Sequence, residues 1–207
     1  MEIVNAIDEP RTERKSDQGL IPYRLTVDEF LRLVDLGFFP DKPDVELING
    51  LLVKRMTKRR PHSFSVGKLY SLLHELLPLT WCIQAENPIV LNANSRPEPD
   101  IAVIRGNQDD YRDRDPVASD IGLVIEVSES TYRKDRDVMW RLYATAGIPV
   151  YWIVNLTARR VEAYSEPSGK GKAAEYLVSR IFTEEQEIPL GLEGVANRAI
   201  RVREILP

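Results

Sequence analysis

The stretch LVIEVSESTYRKDRDVMWRLYATAGIPVYWIV, residues 123–154, decides the predicted fold. It begins and ends with short apolar runs, 123–127 and 150–154, which are typical of strands buried on both faces of a sheet. The residues between them predict a helix over about 135–145 that ends near Gly147. A strand, a helix and a second strand predict a parallel pair joined by a right-handed crossover. We therefore predict an α/β domain with a mixed central sheet.

The segments on either side of this unit predict further elements. Thr26 and Glu29 form a capping-box pattern at the start of a short amphipathic helix that ends at Gly37. Asn49 and Gly50 separate two apolar runs and predict a tight hairpin. The other predicted elements are a helix over 63–77, strands over 81–91 and 101–104, an edge strand over 160–164, and short strands near 176–178 and 199–202.

The length of 207 residues suits one domain with elaborations, because a domain averages about 150 residues. We expect a flexible leader at 1–19, where charges are frequent and apolar patterning is weak. The rest, 20–207, is expected to be a single domain. Its core would span 45–165, followed by a C-terminal extension over 166–207.

The composition excludes several classes of protein. One cysteine and two histidines exclude a disulfide scaffold and a zinc site of the Cys/His type, so we expect any metal to have oxygen ligands. No apolar run approaches the roughly 20 residues of a membrane span, and the polar N-terminus lacks a signal-peptide core. We therefore expect a cytoplasmic protein without a membrane partner. The net charge of −4 argues against coating nucleic acid through overall charge, although a local basic patch remains open.

Two carboxylates stand out because of where they lie in the pattern. Glu126 is inside a strand that reads as buried on both faces, where an ionised carboxylate is costly unless it is paired or binds a metal. Asp100 follows Pro97-Glu98-Pro99 at the start of the preceding strand. Together they would offer oxygen ligands to Mg²⁺ or Mn²⁺. A structural ion pair with an arginine is the alternative.

Several short motifs occur in a characteristic order: VELING at 45–50, PH at 61–62, NPI at 87–89, EPDIAV at 98–103, VIEVS at 124–128, LY at 142–143 and AGIPVYWIVN at 146–155. In these motifs, over residues 23–164, the sequence resembles the Uma-two family. That family, formerly a domain of unknown function, is placed in the PD-(D/E)XK restriction-endonuclease-like superfamily. The resemblance implies an αβββαβ core and a nuclease site.

The resemblance also implies roles for particular residues. Asp100 and Glu126 would be the acidic metal ligands, with the main-chain carbonyl of Val127 completing the set. Glu46 matches an upstream acidic residue of the family, or else is a charge on the exposed face of the hairpin. His62 matches a position where the family commonly has histidine, or else caps or packs the helix that it begins. Strand alternation alone suggests that Gln84 points into the same cleft.

The lysine that the superfamily pattern requires is absent. Two residues after Glu126 the sequence has Ser128, and in the family's helical pattern of Asp, Lys and Tyr it has Asp135, Met139 and Tyr143. Methionine cannot hold a positive charge beside a phosphate. Lys134 would have to replace it, with Arg133 and Arg136 as further possibilities, but Lys134 lies five residues before Met139, more than one α-helical turn away.

Two functions remain open at this point. The first is a DNA endonuclease that depends on Mg²⁺ or Mn²⁺, acts as a homodimer, and contacts the DNA backbone through basic residues at 54–60 and 133–136. The basic run at 54–60 is otherwise a solvated loop. The second function is a catalytically degenerate nuclease fold that binds nucleic acid or a protein partner.

Overall fold

The computed structural model describes residues 21–39 and 44–207, so the predicted leader at 1–19 lies outside the described residues. The helices are α1 (Val27–Asp35), α2 (Arg60–Leu76) and α3 (Trp140–Ala146). The strands are β1 (Val45–Ile48), β2 (Leu51–Lys54), β3 (Trp81–Ala85), β4 (Ile101–Arg105), β5 (Ile121–Ser128), β6 (Val150–Asn155), β7 (Arg160–Ser168), β8 (Glu175–Thr183), β9 (Glu187–Pro189) and β10 (Ala199–Arg201).

The central sheet has six strands in the order β3-β4-β5-β6-β7-β8. Strands β5 and β6 are parallel and every other neighbouring pair is antiparallel, so the sheet is mixed. The order α2-β3-β4-β5-α3-β6 is the predicted αβββαβ core. The predicted α/β fold class is therefore confirmed.

Local sequence signals explain where several elements begin and turn. At α1 the Thr26 side chain accepts from the Glu29 amide, and the Glu29 carboxylate accepts from the Thr26 amide, which is the predicted capping box. Asn49 and Gly50 both have positive φ, at 50° and 77°, as a tight hairpin turn between β1 and β2 requires. Gly147 ends α3 in the left-handed conformation, with a φ of 76°.

Two predicted strands differ from the structure. The strand predicted over 81–91 ends at Ala85, because Glu86 has a φ of 56° and turns the chain out of the sheet. The segment predicted as an edge strand, 160–164, belongs to β7 and is an interior strand with β6 on one side and β8 on the other. That prediction was wrong because β8 comes from the C-terminal extension, whose pairing the local alternation does not reveal.

The sheet separates two apolar clusters, since successive side chains of a strand point to opposite faces. On one face, Leu123 and Ile125 of β5 pack with α2 and with the C-terminal residues 200–206. On the other face, Val124 packs with Leu142 and Tyr143 of α3. Glu126 is two residues after Val124 in the same strand, so its side chain points to the same face of the sheet, the α3 face.

Among residues 21–39 and 44–207, we find no helix that combines the length and the apolar character needed to cross a membrane.

Candidate active site

The candidate site is a cleft where β4 begins and β5 ends. Ile101 of β4 pairs with Ile125 of β5 in an antiparallel ladder, so the next pair in this register is Asp100 opposite Glu126. The two carboxylates that the sequence singled out thus face one another across neighbouring strands. Both line the cleft, together with Glu46, His62 and Lys134.

Asp100 is buried and surrounded by donors. Its Oδ2 atom lies 2.9 Å from Nε2 of His62 and accepts from the main-chain N–H of Val127 at 2.8 Å. Its Oδ1 atom accepts from the Lys58 ammonium at 3.0 Å. Burial by itself would raise the pKa of Asp100, but the hydrogen bond and charge of His62, the charge of Lys58 and the Val127 N–H together lower the pKa below its ordinary value. Asp100 is therefore held as a carboxylate.

Glu126 has the opposite surroundings. The hydrogen bond recorded for its side chain comes from the Tyr143 hydroxyl to Oε1, at 2.7 Å. Burial raises the pKa of Glu126 well above its ordinary value, and the negative charges of Asp100 and Asp135 raise it further, while the Lys134 charge opposes them. Glu126 is thus short of positive charge.

Glu46 lies inside the site and not on the exposed face of the hairpin. It is only 3% exposed, and its Oε2 atom accepts from the main-chain N–H of Glu98 at 3.2 Å. Its Oε1 atom pairs with the Lys134 ammonium. The hairpin β1–β2 therefore positions a buried carboxylate that ties Lys134 to the cleft.

An irregular helix brings Lys134 to this position. Residues Lys134–Met139 form a π-helical turn directly before α3. In a π-helix, residue i bonds to residue i+5, so residues five apart become neighbours along the helix. Lys134 and Met139 are the first and last residues of this turn, and the lysine lies in the cleft whereas the methionine lies outside it. Met139 itself is fully buried in the apolar cluster beside α3 and does not line the cleft.

The donor atoms of the cleft fit a divalent cation. His62, Glu86 and Asp100 each offer a ligand atom, and these atoms lie within 4.8 Å of one another. Among the described residues that line the cleft, six carboxylates stand against four cations: Glu46, Glu98, Asp100, Glu126, Glu129 and Asp135, against Arg55, Lys58, Arg59 and Lys134. A divalent ion would balance that excess charge. This trio would add the imidazole of His62 to the oxygen ligands that the sequence led us to expect.

Comparison with known proteins agrees with this geometry. A family profile described as "Putative restriction endonuclease", Uma2, matches residues 27–202. The chain belongs to the Uma2 family. A solved structure described as a putative nuclease belonging to DUF820, from Anabaena variabilis, aligns over 87% of this chain and 97% of its own with a TM-score of 0.63. Its sequence identity of 14% shows a shared nuclease fold and no more. No curated protein matches the chain.

Within this Uma2 domain, most of the predicted site residues converge. Asp100, Glu126, Glu46, His62 and Lys134 all line one cleft. Val127 also lines it, and the contact recorded for its main chain there is the N–H bond to Asp100.

Gln84 is the exception among the predicted residues. It pairs with Ala102 and shares the α3 face, but it is not among the residues that line the cleft. Its amide oxygen is buried without a hydrogen-bond partner among the described residues.

Sequence reasoning missed two ion pairs at the candidate site. Glu98 pairs with Arg55, and Glu86 pairs with Lys58. Glu98 stands next to the Pro99-Asp100 pair, which was a usable signal. For Lys58 and Glu86 the sequence held no comparable signal, because a basic run does not show which of its side chains turn inward. Lys54, Arg59 and Arg60 of that run are exposed, and the Arg59 side chain, 75% exposed, lies 3.9 Å from Glu129.

Proposed function

We propose that this protein is an endonuclease that hydrolyses DNA phosphodiester bonds with Mg²⁺ or Mn²⁺. The observation that supports the proposal is the placement of Asp100 and Glu126 in one cleft, where the described carboxylates outnumber the described cations. Hard divalent cations prefer such oxygen ligands. Membership of a family described as "Putative restriction endonuclease" agrees with this chemistry.

In this proposal, Asp100, Glu126 and the main-chain carbonyl of Val127 hold the metal ion. A bound ion of this kind activates a water molecule and neutralises the charge that develops on a phosphodiester. The protein keeps the ligands in place. Tyr143 donates to Oε1 of Glu126, while His62 and the Val127 N–H contact Oδ2 of Asp100.

We assign Lys134 the role of the cation that Met139 cannot fill. Its ammonium is anchored on Glu46, and its charge acts directly on Glu126. Burial lowers the pKa of Lys134, but the charges of Glu46 and Glu126 more than offset this and raise it above its ordinary value. Lys134 is therefore a permanent positive charge beside the carboxylate pair, where a phosphate would bind.

The proposed working form is a cytoplasmic homodimer of single-domain subunits, spanning 20–207, in which each subunit cleaves one DNA strand. Arg59 lines the cleft, and Arg133 directly precedes Lys134 in the chain. Both residues are exposed and would contact the DNA backbone. Light scattering coupled to size exclusion, with and without duplex DNA, tests the dimer. A monomer under both conditions would contradict this part of the proposal.

The direct test is cleavage of supercoiled plasmid in Mg²⁺ or Mn²⁺ by the wild type and by the variants Asp100→Asn and Glu126→Gln. We expect both variants to lose cleavage by at least about a hundredfold, since each replaces a charged ligand of the ion that would stabilise the transition state. Glu193→Gln is the control, because Glu193 pairs with Arg105 at the opposite end of β4. Equal cleavage by all four proteins would show a contaminating nuclease.

A second function is favoured by the burial of Met139. With no lysine at that position, the fold could bind metal and nucleic acid without turnover. Calorimetric Mn²⁺ binding by the wild type, combined with no cleavage of any DNA form, would support this function. Met139→Lys does not discriminate between the two, because it would place an ammonium in an apolar cluster and destabilise the protein.

A further inference from the structure

The Lys58 ammonium lies between two carboxylates that belong to the candidate metal site. Its Nζ atom lies 3.0 Å from Oδ1 of Asp100 and 3.0 Å from Oε1 of Glu86. Asp100 and Glu86 are two members of the trio, completed by His62, whose ligand atoms lie within 4.8 Å of one another. A divalent ion on these oxygen atoms would lie within a few Å of the ammonium, and the two positive charges would repel each other.

We propose that Lys58 is a built-in competitor of the divalent cation, and that metal binding at Asp100 displaces its ammonium from Asp100 and Glu86. This inference rests on the proposed metal-dependent function and adds the residue that sets the affinity for the ion. In the metal-free protein, the same ammonium compensates the buried carboxylate of Asp100.

The location of Lys58 allows such a displacement. The residue lies in the irregular segment between β2 and α2, and its side chain is 31% exposed. Its long stem can carry the ammonium into water at the mouth of the cleft. Asp100 and His62, by contrast, are buried at the sheet and at the first turn of α2. Asp100 and His62 are therefore held in place, whereas Lys58 and Glu86, with side chains 31% and 43% exposed, have room to move.

The second lysine of the cleft differs from Lys58 in this respect. Lys134 pairs with Glu46, which is outside the trio of His62, Glu86 and Asp100. A metal ion on Asp100 has no need of the oxygen that binds Lys134. We therefore expect one lysine to leave on metal binding and the other to stay.

Mn²⁺ titration by calorimetry, on protein freed of metal by chelation, tests the inference. Lys58→Met keeps the length of the side chain and removes the charge, and we expect it to bind Mn²⁺ at least tenfold more tightly than the wild type. Lys68→Met is the matched control, since Lys68 lies 6.0 Å above the Phe64 ring on α2 and has no part in the cleft. Lys58→Arg retains a competing charge and should show no gain.

A second measurement uses the wild type and depends on no variant. Acetylation of lysines with limiting acetic anhydride, read by mass spectrometry, reports how accessible each ammonium is. Saturating Mn²⁺ should increase the modification of Lys58 severalfold and leave that of Lys134 unchanged.

The outcomes separate this inference from the proposed function. Tight Mn²⁺ binding by the wild type, with an equal or weaker affinity in Lys58→Met, would overturn the inference and leave the nuclease proposal intact. Unchanged reactivity of Lys58 at saturating Mn²⁺ would overturn it as well. If neither protein bound Mn²⁺, both the inference and the metal-dependent function would fail.

Discussion

Two glutamates in one row of the central sheet have opposite surroundings. Glu126 of β5 pairs with Ile153 of β6, and Ile153 pairs with Glu162 of β7, so both carboxylates lie on the α3 face. Glu162 accepts from the hydroxyls of Tyr132 and Tyr164, at 3.0 and 2.7 Å, and from Arg160 at 2.7 Å. For Glu126, one hydrogen bond is recorded among the described residues, from Tyr143.

The charge states follow from these contacts. Burial would raise the pKa of Glu162, but its bonds to Tyr164, Arg160 and Tyr132 lower the pKa below its ordinary value. Burial and neighbouring carboxylates raise the pKa of Glu126. The fold itself supplies the donors that Glu162 needs, whereas it leaves Glu126 short of positive charge. A buried carboxylate without compensation points to a ligand from outside, and a compensated one points to a structural role.

The largest expected effect is on stability without metal. Glu162→Gln removes the charge that Arg160 and two tyrosines bind, and should lower the free energy of unfolding by about 3 kcal/mol. Glu126→Gln removes a charge that the metal-free protein barely compensates, and should leave that free energy unchanged or raise it. Urea denaturation in the presence of a chelator measures both. A larger loss in Glu126→Gln than in Glu162→Gln would reverse the comparison.

The next effect is stabilisation by the metal. Mn²⁺ at a hundred times its dissociation constant should raise the free energy of unfolding of the wild type by about 2.7 kcal/mol for one site. Glu162→Gln should show the same rise in the free energy of unfolding, although its metal-free value is lower. Glu126→Gln should show little or no rise. The measurement is urea denaturation with and without Mn²⁺. An equal increment in all three proteins would exclude Glu126 as a ligand.

The dependence of stability on pH is expected to be smaller. Because the pKa of Glu126 is raised in the folded state, its contribution to stability is fully present below its ordinary pKa and is lost as the pH rises through the folded value. The charges facing it are those of Asp100, Asp135 and Lys134, with the Tyr143 hydroxyl beside them.

Between pH 5 and 8, the metal-free wild type should therefore lose stability relative to Glu126→Gln, on the order of 1 kcal/mol. Glu162→Gln should keep the slope of the wild type, since the lowered pKa of Glu162 places its own titration below this window. Parallel curves for the wild type and Glu126→Gln would show that the pKa of Glu126 is not raised.

Much of the fold could be predicted from the sequence, because its signals are local. The capping box of α1, the Asn49-Gly50 hairpin and the strand–helix–strand unit at 123–154 depend on residues close in sequence, and all are present. The prediction that β7 lies at the edge of the sheet was wrong, because its neighbour β8 comes from a later segment of the chain. Local alternation reports burial but not which strand lies alongside.

The site was predictable to the extent that it depends on strand register. Asp100 and Glu126 face each other because their strands pair as the alternation implies. Lys134 begins a π-helical turn, and no local pattern in the sequence predicts such a turn. The inward turn of Lys58 depends on Asp100 and Glu86, which are 42 and 28 positions away in the chain. Such contacts follow from tertiary structure and not from local pattern.

The smallest expected effect separates the tyrosines of the two glutamates. Tyr164→Phe removes a bond to an ionised carboxylate and Tyr143→Phe removes one to a carboxyl of raised pKa. Bonds to charged groups are the stronger, so Tyr164→Phe should cost about 1 kcal/mol more of the free energy of unfolding in metal-free protein. Only Tyr143→Phe should weaken Mn²⁺ binding, because only Tyr143 orients a proposed ligand. Equal losses of stability and of Mn²⁺ affinity in both variants would mean that the two carboxyls have the same charge state. The contrast between Glu162, whose charge the fold compensates, and Glu126, whose charge it does not, would then be wrong.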